Sequence, residues 1–265
     1  MIDLTSLLSD LADESASLDR LVADRPEADW ARPTPADGWT VGHQIAHLAW
    51  TDDIALRSAT DPAGFAAALG EALAGGDPDT FVDRAAADYL APPDELLARW
   101  RAGRAALAGA LAAAPPDSRL PWLGTTMSPA AMATARLMET WAHGQDVADS
   151  LGVQRQPTPR LRHVAFLGAR TLGHSFATHG RMPPAAPVRV ELEAPGGERW
   201  AYGPADAADL VVGPALDFCL LVTQRRHRAD LALVATGPVA DEWLDVAQAF
   251  AGPPGQGRAP AGNRS

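Results

Sequence analysis

The chain has 265 residues, of which 47% are hydrophobic and 21% are charged, and its formal net charge is -11. This composition is typical of a folded globular protein with a substantial core, and it excludes an intrinsically disordered chain. The acidic balance argues against a broad surface for nucleic acid or for anionic membranes.

Cysteine usage and the first residues both indicate a reducing compartment. Cys219 stands in an apolar run, so we expect a buried structural thiol, and a single cysteine excludes an intramolecular disulfide. Residues 1–20 carry acidic side chains where a secretory signal would need a basic start. No stretch approaches the roughly 20 apolar residues of a membrane span. We therefore expect a cytoplasmic protein with no membrane segment.

The first 180 residues show the apolar spacing of helices. Thr40 is an expected N-cap, Ser128 and Pro129 are expected to begin a long helix, and Gly152 is expected to end it. Residues 115–127 are expected to form a loop. The spacing predicts helices over 2–24, about 41–58, 62–90 with a break near 75–78, about 93–113, about 129–150 and about 160–178. These segments predict a mostly α bundle over 1–180.

The composition changes after residue 180, where prolines are followed by alternating apolar and polar residues. The pattern predicts strands over 188–192, 200–202, 209–212 and 231–234, and helices over 214–224 and 239–250. We therefore expect a small α+β domain over 185–255. Residues 256–265 are expected to be a flexible tail.

Two helical segments about ninety residues apart offer metal-ligand chemistry. Glu139 and His143 are four positions apart, so on a helix their side chains share one face. If His47 faces them from the earlier helix, two imidazoles and one carboxylate converge, which is a common set for a divalent metal with an open position. Spacing alone leaves a simpler alternative, a solvated Glu–His pair with His47 packed in the core.

The motifs around these residues resemble the DinB-like superfamily, and more closely the mycothiol-dependent maleylpyruvate isomerase family. The resemblance is carried by Gly38 to Leu48, by the preceding Ala28-Asp29-Trp30 and by the downstream Glu139-x-x-x-His143. It implies a DinB-like four-helix bundle followed by a small α+β domain. It also implies a divalent metal, with zinc expected, held by His47, Glu139 and His143. Within the family the chain is similar to an actinobacterial branch that is generally labelled only as metal-binding.

Three further residues are candidates for the site. His43 lies one turn before His47 and could be a fourth ligand, an acid or base near the metal, or a helix-surface residue. Asp146 could hold an imidazole N–H of a ligand or could be an ordinary surface residue. In the family an arginine of the C-terminal domain contributes to activity, and Arg225 has the most similar position. An arginine there would suit a substrate carboxylate, although Val222-Thr223-Gln224 departs from the family's usual Gly-Arg.

By resemblance, the expected function is thiol-dependent isomerisation or transfer on a small metabolite that could carry a carboxylate, with mycothiol as a co-substrate. Metal-dependent hydrolysis or natural-product tailoring is the alternative among enzymes. A non-enzymatic, metal-stabilised module that binds a small ligand is the second alternative. We expect a monomer or homodimer that binds neither nucleic acid nor membranes.

Overall fold

The computed structural model describes residues 3–74 and 80–263. The chain divides into two compact units, Met1–Arg155 and Gln156–Ser265. Residues 161–178, which sequence spacing groups with the bundle, belong to the second unit by their contacts. The predicted break near 75–78 lies outside the described residues.

The first unit is built of helices and one short hairpin. Its elements, in chain order, are α1 (Leu4–Val22), α2 (Glu27–Trp30), α3 (Val41–Thr60), α4 (Pro62–Ala74), α5 (Phe81–Asp88), α6 (Pro93–Ala113), β1 (Leu120–Trp122), β2 (Thr125–Met127) and α7 (Pro129–Leu151). Helix α3 packs against both α6 and α7, and α1 packs against both α7 and α6. Their apolar faces bury a shared core that includes Leu18, Leu48 and Trp100. The predicted four-helix bundle is therefore confirmed.

The two helices that carry the candidate ligands begin where their local sequence predicts. The Thr40 side chain accepts a hydrogen bond from the backbone N–H of His43, and the Ser128 hydroxyl accepts one from the backbone N–H of Ala131. Gly152 ends α7 with a φ of 68°, a left-handed conformation that glycine adopts without steric cost. These caps fix the length of both helices and therefore the positions of the ligand side chains along them.

A buried ion pair joins α3 to α7 inside the bundle. Arg136 Nε on α7 donates to Asp52 Oδ1 on α3 at 2.8 Å, and Trp100 Nε1 on α6 donates to Asp52 Oδ2 at 3.2 Å. Arg136 is 1% exposed and Asp52 is 4% exposed, so little solvent screens the pair. Three helices that are distant in sequence are thus held by one carboxylate.

The segment expected to be a loop over 115–127 contains a hairpin, so that expectation is wrong in part. Leu120 pairs with Met127 and Trp122 pairs with Thr125, which leaves a two-residue turn. Gly124, the second residue of this turn, has a positive φ of 72°, which glycine adopts without steric cost. Strands of three residues are too short to show an alternating pattern, which is why the sequence did not indicate them.

The second unit is a small α+β structure. Its elements are α8 (Leu161–Arg170), α9 (Leu172–Thr178), β3 (Val188–Glu193), β4 (Arg199–Tyr202), β5 (Asp209–Pro214), α10 (Ala215–Val222), β6 (Val234–Thr236) and α11 (Pro238–Val246). The sheet has the strand order β4-β3-β5-β6, in which β3 and β5 are parallel and the other pairs are antiparallel. Helix α10 packs against α8, and α11 packs against β5 and β6. The predicted α+β character is therefore confirmed.

Two element predictions in this unit are wrong in detail. The helix expected over about 160–178 is broken at Thr171, whose hydroxyl donates to the carbonyls of Leu167 and Gly168 and so competes with the helical backbone bonds. The strand expected over 231–234 lies instead at Val234–Thr236. The backbone N–H of Ala232 donates to Asp217 Oδ2 at 2.7 Å. This N–H is therefore bonded to a side chain and not to the backbone of a neighbouring strand.

Cys219 is fully buried in α10, as its apolar surroundings predict. Its thiol donates to the carbonyl of Leu161, with Sγ and O 3.5 Å apart. Burial raises the pKa of the Cys219 thiol well above its usual range, because the charged thiolate would lose its hydration. In the described residues, no helix combines the length and the apolar character needed to cross a bilayer.

Candidate metal centre

The three predicted ligands meet between α3 and α7. Nε2 of His47 lies 3.4 Å from Oε2 of Glu139, and Nε2 of His143 lies 3.1 Å from the same oxygen. One ligand atom from each of the three residues lies within 4.8 Å of the others. Residues that are 92 positions apart in sequence therefore present two imidazole nitrogens and one carboxylate oxygen to a common point.

These distances fit a tetrahedral metal. Zinc binds imidazole nitrogen and carboxylate oxygen at about 2.0–2.2 Å, so neighbouring ligand atoms in a tetrahedron are separated by about 3.3–3.5 Å. The two observed nitrogen–oxygen separations, 3.4 and 3.1 Å, are close to that range. Among the described residues, this is the one group of three His, Cys, Asp or Glu side chains with such geometry. The donor set is therefore able to hold a divalent ion.

Glu139 is ionised in this environment. Its burial opposes ionisation, but hydrogen bonds from His143 and His47 outweigh burial and hold the pKa of the carboxyl well below its usual range. The Glu139 side chain is 21% exposed, compared with 9% for His47 and 11% for His143. The carboxylate is thus in the form that binds a metal and is the most accessible member of the group.

Two tryptophans cover the imidazoles. The ring of Trp39 stacks on His143 with centroids 5.9 Å apart and lies 5.4 Å from His47, and Trp50 lies 5.9 Å from His47. Trp39 is held in place by its Nε1, which donates to Asp83 Oδ1 on α5 at 2.8 Å. These apolar faces exclude water from one side of the ligand group and therefore strengthen its electrostatic interactions.

A residue that sequence reasoning did not select contacts a ligand directly. Oε1 of Gln44 lies 2.5 Å from Nδ1 of His143, and Nε2 of Gln44 donates to Oγ1 of Thr34 at 2.9 Å. Gln44 is fully buried on α3. Nothing in the local sequence distinguishes it from a solvent-facing polar residue, because its partner is 99 positions away.

His43 takes part in the cap of α3. The backbone N–H of Thr40 donates to Nδ1 of His43 at 3.3 Å, and the backbone N–H of His43 donates to Oγ1 of Thr40 at 3.4 Å. A neutral ring that accepts at Nδ1 carries its proton on Nε2. Burial lowers the pKa of His43, with Asp83 acting in the opposite direction, so this ring is neutral near pH 7. Its part in catalysis stays a prediction.

The other two candidates are Asp146, on α7, and Arg225, in the second unit. Asp146 is 1% exposed on α7, so it is a buried residue and not part of a solvated surface. Arg225 follows α10 in the second unit, where its Nη1 donates to the carbonyl of Thr223. The nearby Arg228 forms ion pairs with Asp241 and Asp245. The roles of Asp146 and Arg225 stay predictions.

Comparison with known proteins matches both units to family models. The model described as the mycothiol maleylpyruvate isomerase N-terminal domain matches residues 11–148, which include all three candidate ligands. The model described as wyosine base formation matches residues 184–236 in the second unit. Uncharacterized proteins from two strains of Mycobacterium tuberculosis are each 53% identical over 259 residues, which is 97% of this chain and 100% of theirs.

Two solved structures share the fold. They are crystal structures of the mycothiol-dependent maleylpyruvate isomerase and of a mutant of that enzyme, each with a TM-score of 0.59. Their identities to this chain are 18% and 17%, and each alignment covers 88% of this chain and 93% of the other. The first family model spans more than half of the sequence and agrees with this fold. The chain therefore belongs to the family defined by the mycothiol maleylpyruvate isomerase N-terminal domain.

Proposed function

We propose that this protein is a divalent-metal-dependent enzyme that acts on a small metabolite as a thiol-dependent isomerase or transferase, with zinc as the metal and mycothiol as the thiol. The observation that carries the proposal is the convergence of His47 Nε2, His143 Nε2 and Glu139 Oε2. Membership of the family supports the reaction class. The buried, protonated Cys219 fits a reducing cytoplasm, where we propose that the reaction takes place.

The number of protein donors supports catalysis over a purely structural metal. Structural zinc sites are usually closed by four protein ligands, whereas catalytic sites have three and keep a position for water or substrate. Three donors converge here among the described residues, and Nδ1 of His43 accepts from Thr40. This arrangement favours an enzyme over the alternative of a metal-stabilised binding module.

The residues of the site have different proposed roles. His47, Glu139 and His143 would hold the metal, which when bound supplies a Lewis acid that favours the thiolate form of a thiol. Glu139 remains ionised and compensates part of the positive charge. Trp39 and Trp50 keep water from one side of the imidazoles. His43 is the proposed acid or base near the metal, and its neutral ring has an N–H at Nε2.

The first experiment measures metal content. The purified full chain should contain one zinc per chain by elemental analysis, and His47→Ala should lose it, because two remaining ligands hold a divalent ion poorly. His174→Ala is the matched control, since His174 is an exposed histidine of the second unit and should leave the metal in place. One tightly bound metal per chain in His47→Ala would refute the proposed ligand set.

The second experiment measures the reaction. The zinc-loaded chain should isomerise maleylpyruvate, or transfer mycothiol to a related carboxylate substrate, only when mycothiol is present. Arg225→Ala should raise the KM for a carboxylate substrate while the zinc content stays unchanged. Equal kinetics of Arg225→Ala and the parent would remove Arg225 from the site. Turnover of an ester or amide without thiol would favour the hydrolase alternative.

A further inference from the structure

We infer that Gln44 is a positioning residue that fixes which ring nitrogen of His143 carries the proton and so prepares Nε2 for the metal; this inference rests on the proposed function. Gln44 lies on α3 one turn before His47 and is 0% exposed. Burying an amide is costly unless both of its ends are hydrogen-bonded. Both ends of Gln44 are paired, one of them to a proposed ligand.

The direction of these hydrogen bonds is determined by Thr34, which lies at the end of the Gln44 amide farthest from His143. The carbonyl oxygen of Trp39 can only accept, and Oγ1 of Thr34 lies 2.9 Å from it, so the hydroxyl donates its single proton there. Oγ1 of Thr34 therefore accepts from the Gln44 end 2.9 Å away, which must be the amide nitrogen. The other end of Gln44 is then its carbonyl oxygen, Oε1.

This assignment determines the state of His143. Since Oε1 of Gln44 can only accept, Nδ1 of His143 carries a hydrogen and donates it across the 2.5 Å contact. The other ring nitrogen, Nε2, faces Glu139 Oε2 at 3.1 Å and would offer its lone pair to a metal. A neutral histidine in water prefers to carry its proton on Nε2, so the contact with Gln44 favours the tautomer that a ligand at Nε2 requires. Orienting a ligand imidazole through its other N–H also raises the basicity of the ligand nitrogen.

His47 has no equivalent partner. Its Nδ1 is buried, and in the described part of the chain no atom forms a hydrogen bond with it. The two imidazoles are therefore supported unequally, with His143 oriented from α3 and His47 oriented by packing against Trp39 and Trp50. We expect removal of the Gln44 oxygen to affect His143 alone.

A purely structural role for Gln44 is the alternative. The amide ties Thr34, in the loop before α3, to that helix, and the loss of this tie would lower stability without changing His143. The two roles differ in what they do to metal affinity and to the tautomer of one imidazole.

The test measures zinc affinity of full-length variants by competition with a chromophoric chelator. Gln44→Leu, which has a similar size but cannot accept a hydrogen bond, should bind zinc about 10- to 100-fold more weakly than the parent. Gln44→Glu keeps an acceptor oxygen and should retain the parent's affinity. Gln145→Leu is the matched control. Gln145 lies on α7 and donates to Asp149 Oδ1 at 2.9 Å, so the zinc affinity of this variant should equal that of the parent.

A second readout needs no metal. The tautomer of each imidazole can be read from long-range proton–nitrogen correlation spectra of the metal-free chain. The sample pH should be about two units above the ordinary histidine pKa of about 6.5. Nδ1 of His143 should carry a hydrogen in the parent and in Gln44→Glu, whereas in Gln44→Leu only Nε2 should be protonated. If Gln44→Leu does not fold, Gln44→Met replaces it, since methionine is unbranched and its thioether is only a weak acceptor.

The outcomes separate this inference from the proposed function. If the parent binds zinc, and Gln44→Leu matches it in both affinity and His143 tautomer, the inference is overturned while the metal site stands. If the parent binds no zinc, the proposed function fails and the inference fails with it. Weaker binding with a changed tautomer, restored by Gln44→Glu, supports the inference against a merely structural role.

Discussion

The two units differ in where they keep their charged residues. Among the described residues, the first unit buries Glu14, Asp19, His47, Asp52, Arg136 and Asp146, whereas the second buries only His163 and Asp209. In the second unit Arg228 meets Asp241 and Asp245, whose side chains are 65% and 60% exposed. Buried charges in the first unit connect helices that are distant in sequence. The pair of Asp52 and Arg136 joins α3 to α7, the two helices that carry the three ligand atoms.

The largest expected effect is the loss of the buried pair in the bundle. Asp52→Ala should lower the free energy of unfolding by about 3–5 kcal/mol, because it leaves the Arg136 guanidinium buried without its carboxylate. Urea unfolding of the full chain measures this change. Glu95→Ala removes an exposed partner of Arg99 in the same unit and should cost less than about 1 kcal/mol. Equal stability of the two variants would remove the contrast between buried and exposed ion pairs.

A smaller effect is expected at Asp19, which is paired with Arg101 and Arg104. The hydrogen bond from Arg101, helped by Arg104, outweighs burial and lowers the pKa of Asp19. A carboxyl with a lowered folded pKa contributes stability above its unfolded pKa, about 3.9, and loses it as the pH falls through the folded pKa. Asp19→Asn should therefore cost about 1–3 kcal/mol at pH 7.

The pH series gives the sharper form of this prediction. The difference in unfolding free energy between the parent and Asp19→Asn should shrink as the pH falls below about 4, because the parent's carboxyl then becomes neutral as well. A difference that stays constant down to the lowest pH would contradict the ionic role of Asp19.

The smallest effect is expected at the surface of the second unit. Asp245→Asn should change the free energy of unfolding by less than about 1 kcal/mol, and the change should disappear in high salt, because solvent and ions screen exposed pairs. Thermal unfolding at two salt concentrations measures it. A loss as large as that of Asp52→Ala would mean that the second unit depends on ion pairs as strongly as the first.

Local sequence was sufficient for the features that depend on near neighbours. Thr40, Ser128 and Gly152 predicted helix ends, and the spacing of Glu139 and His143 predicted a shared face, because caps and i,i+4 contacts lie within one or two turns. The meeting of His47 with that face is a long-range contact, and it was expected only from the family resemblance. Gly124 lies in a two-residue turn, and Thr171 breaks a helix through its own hydroxyl. Features of one or two residues leave no periodic pattern in the sequence.

Sequence reasoning did not select the residue that contacts a ligand directly. His43 is a candidate because its imidazole can take part in acid–base chemistry, and it also completes the cap of α3, a position where glutamate or glutamine is more usual. Gln44, the next residue, has no such reactive side chain. Its importance comes from a partner 99 positions away, and such a contact has no signature in a single sequence.

The enclosed sulfhydryl in α10 makes Cys219 a reporter of how often the second unit opens. A protonated, inaccessible sulfur reacts with alkylating reagents only after local unfolding. The labelling rate of Cys219 would therefore measure how often the second unit opens. The same burial shields this sulfur from mixed disulfides with the thiol that we propose as co-substrate.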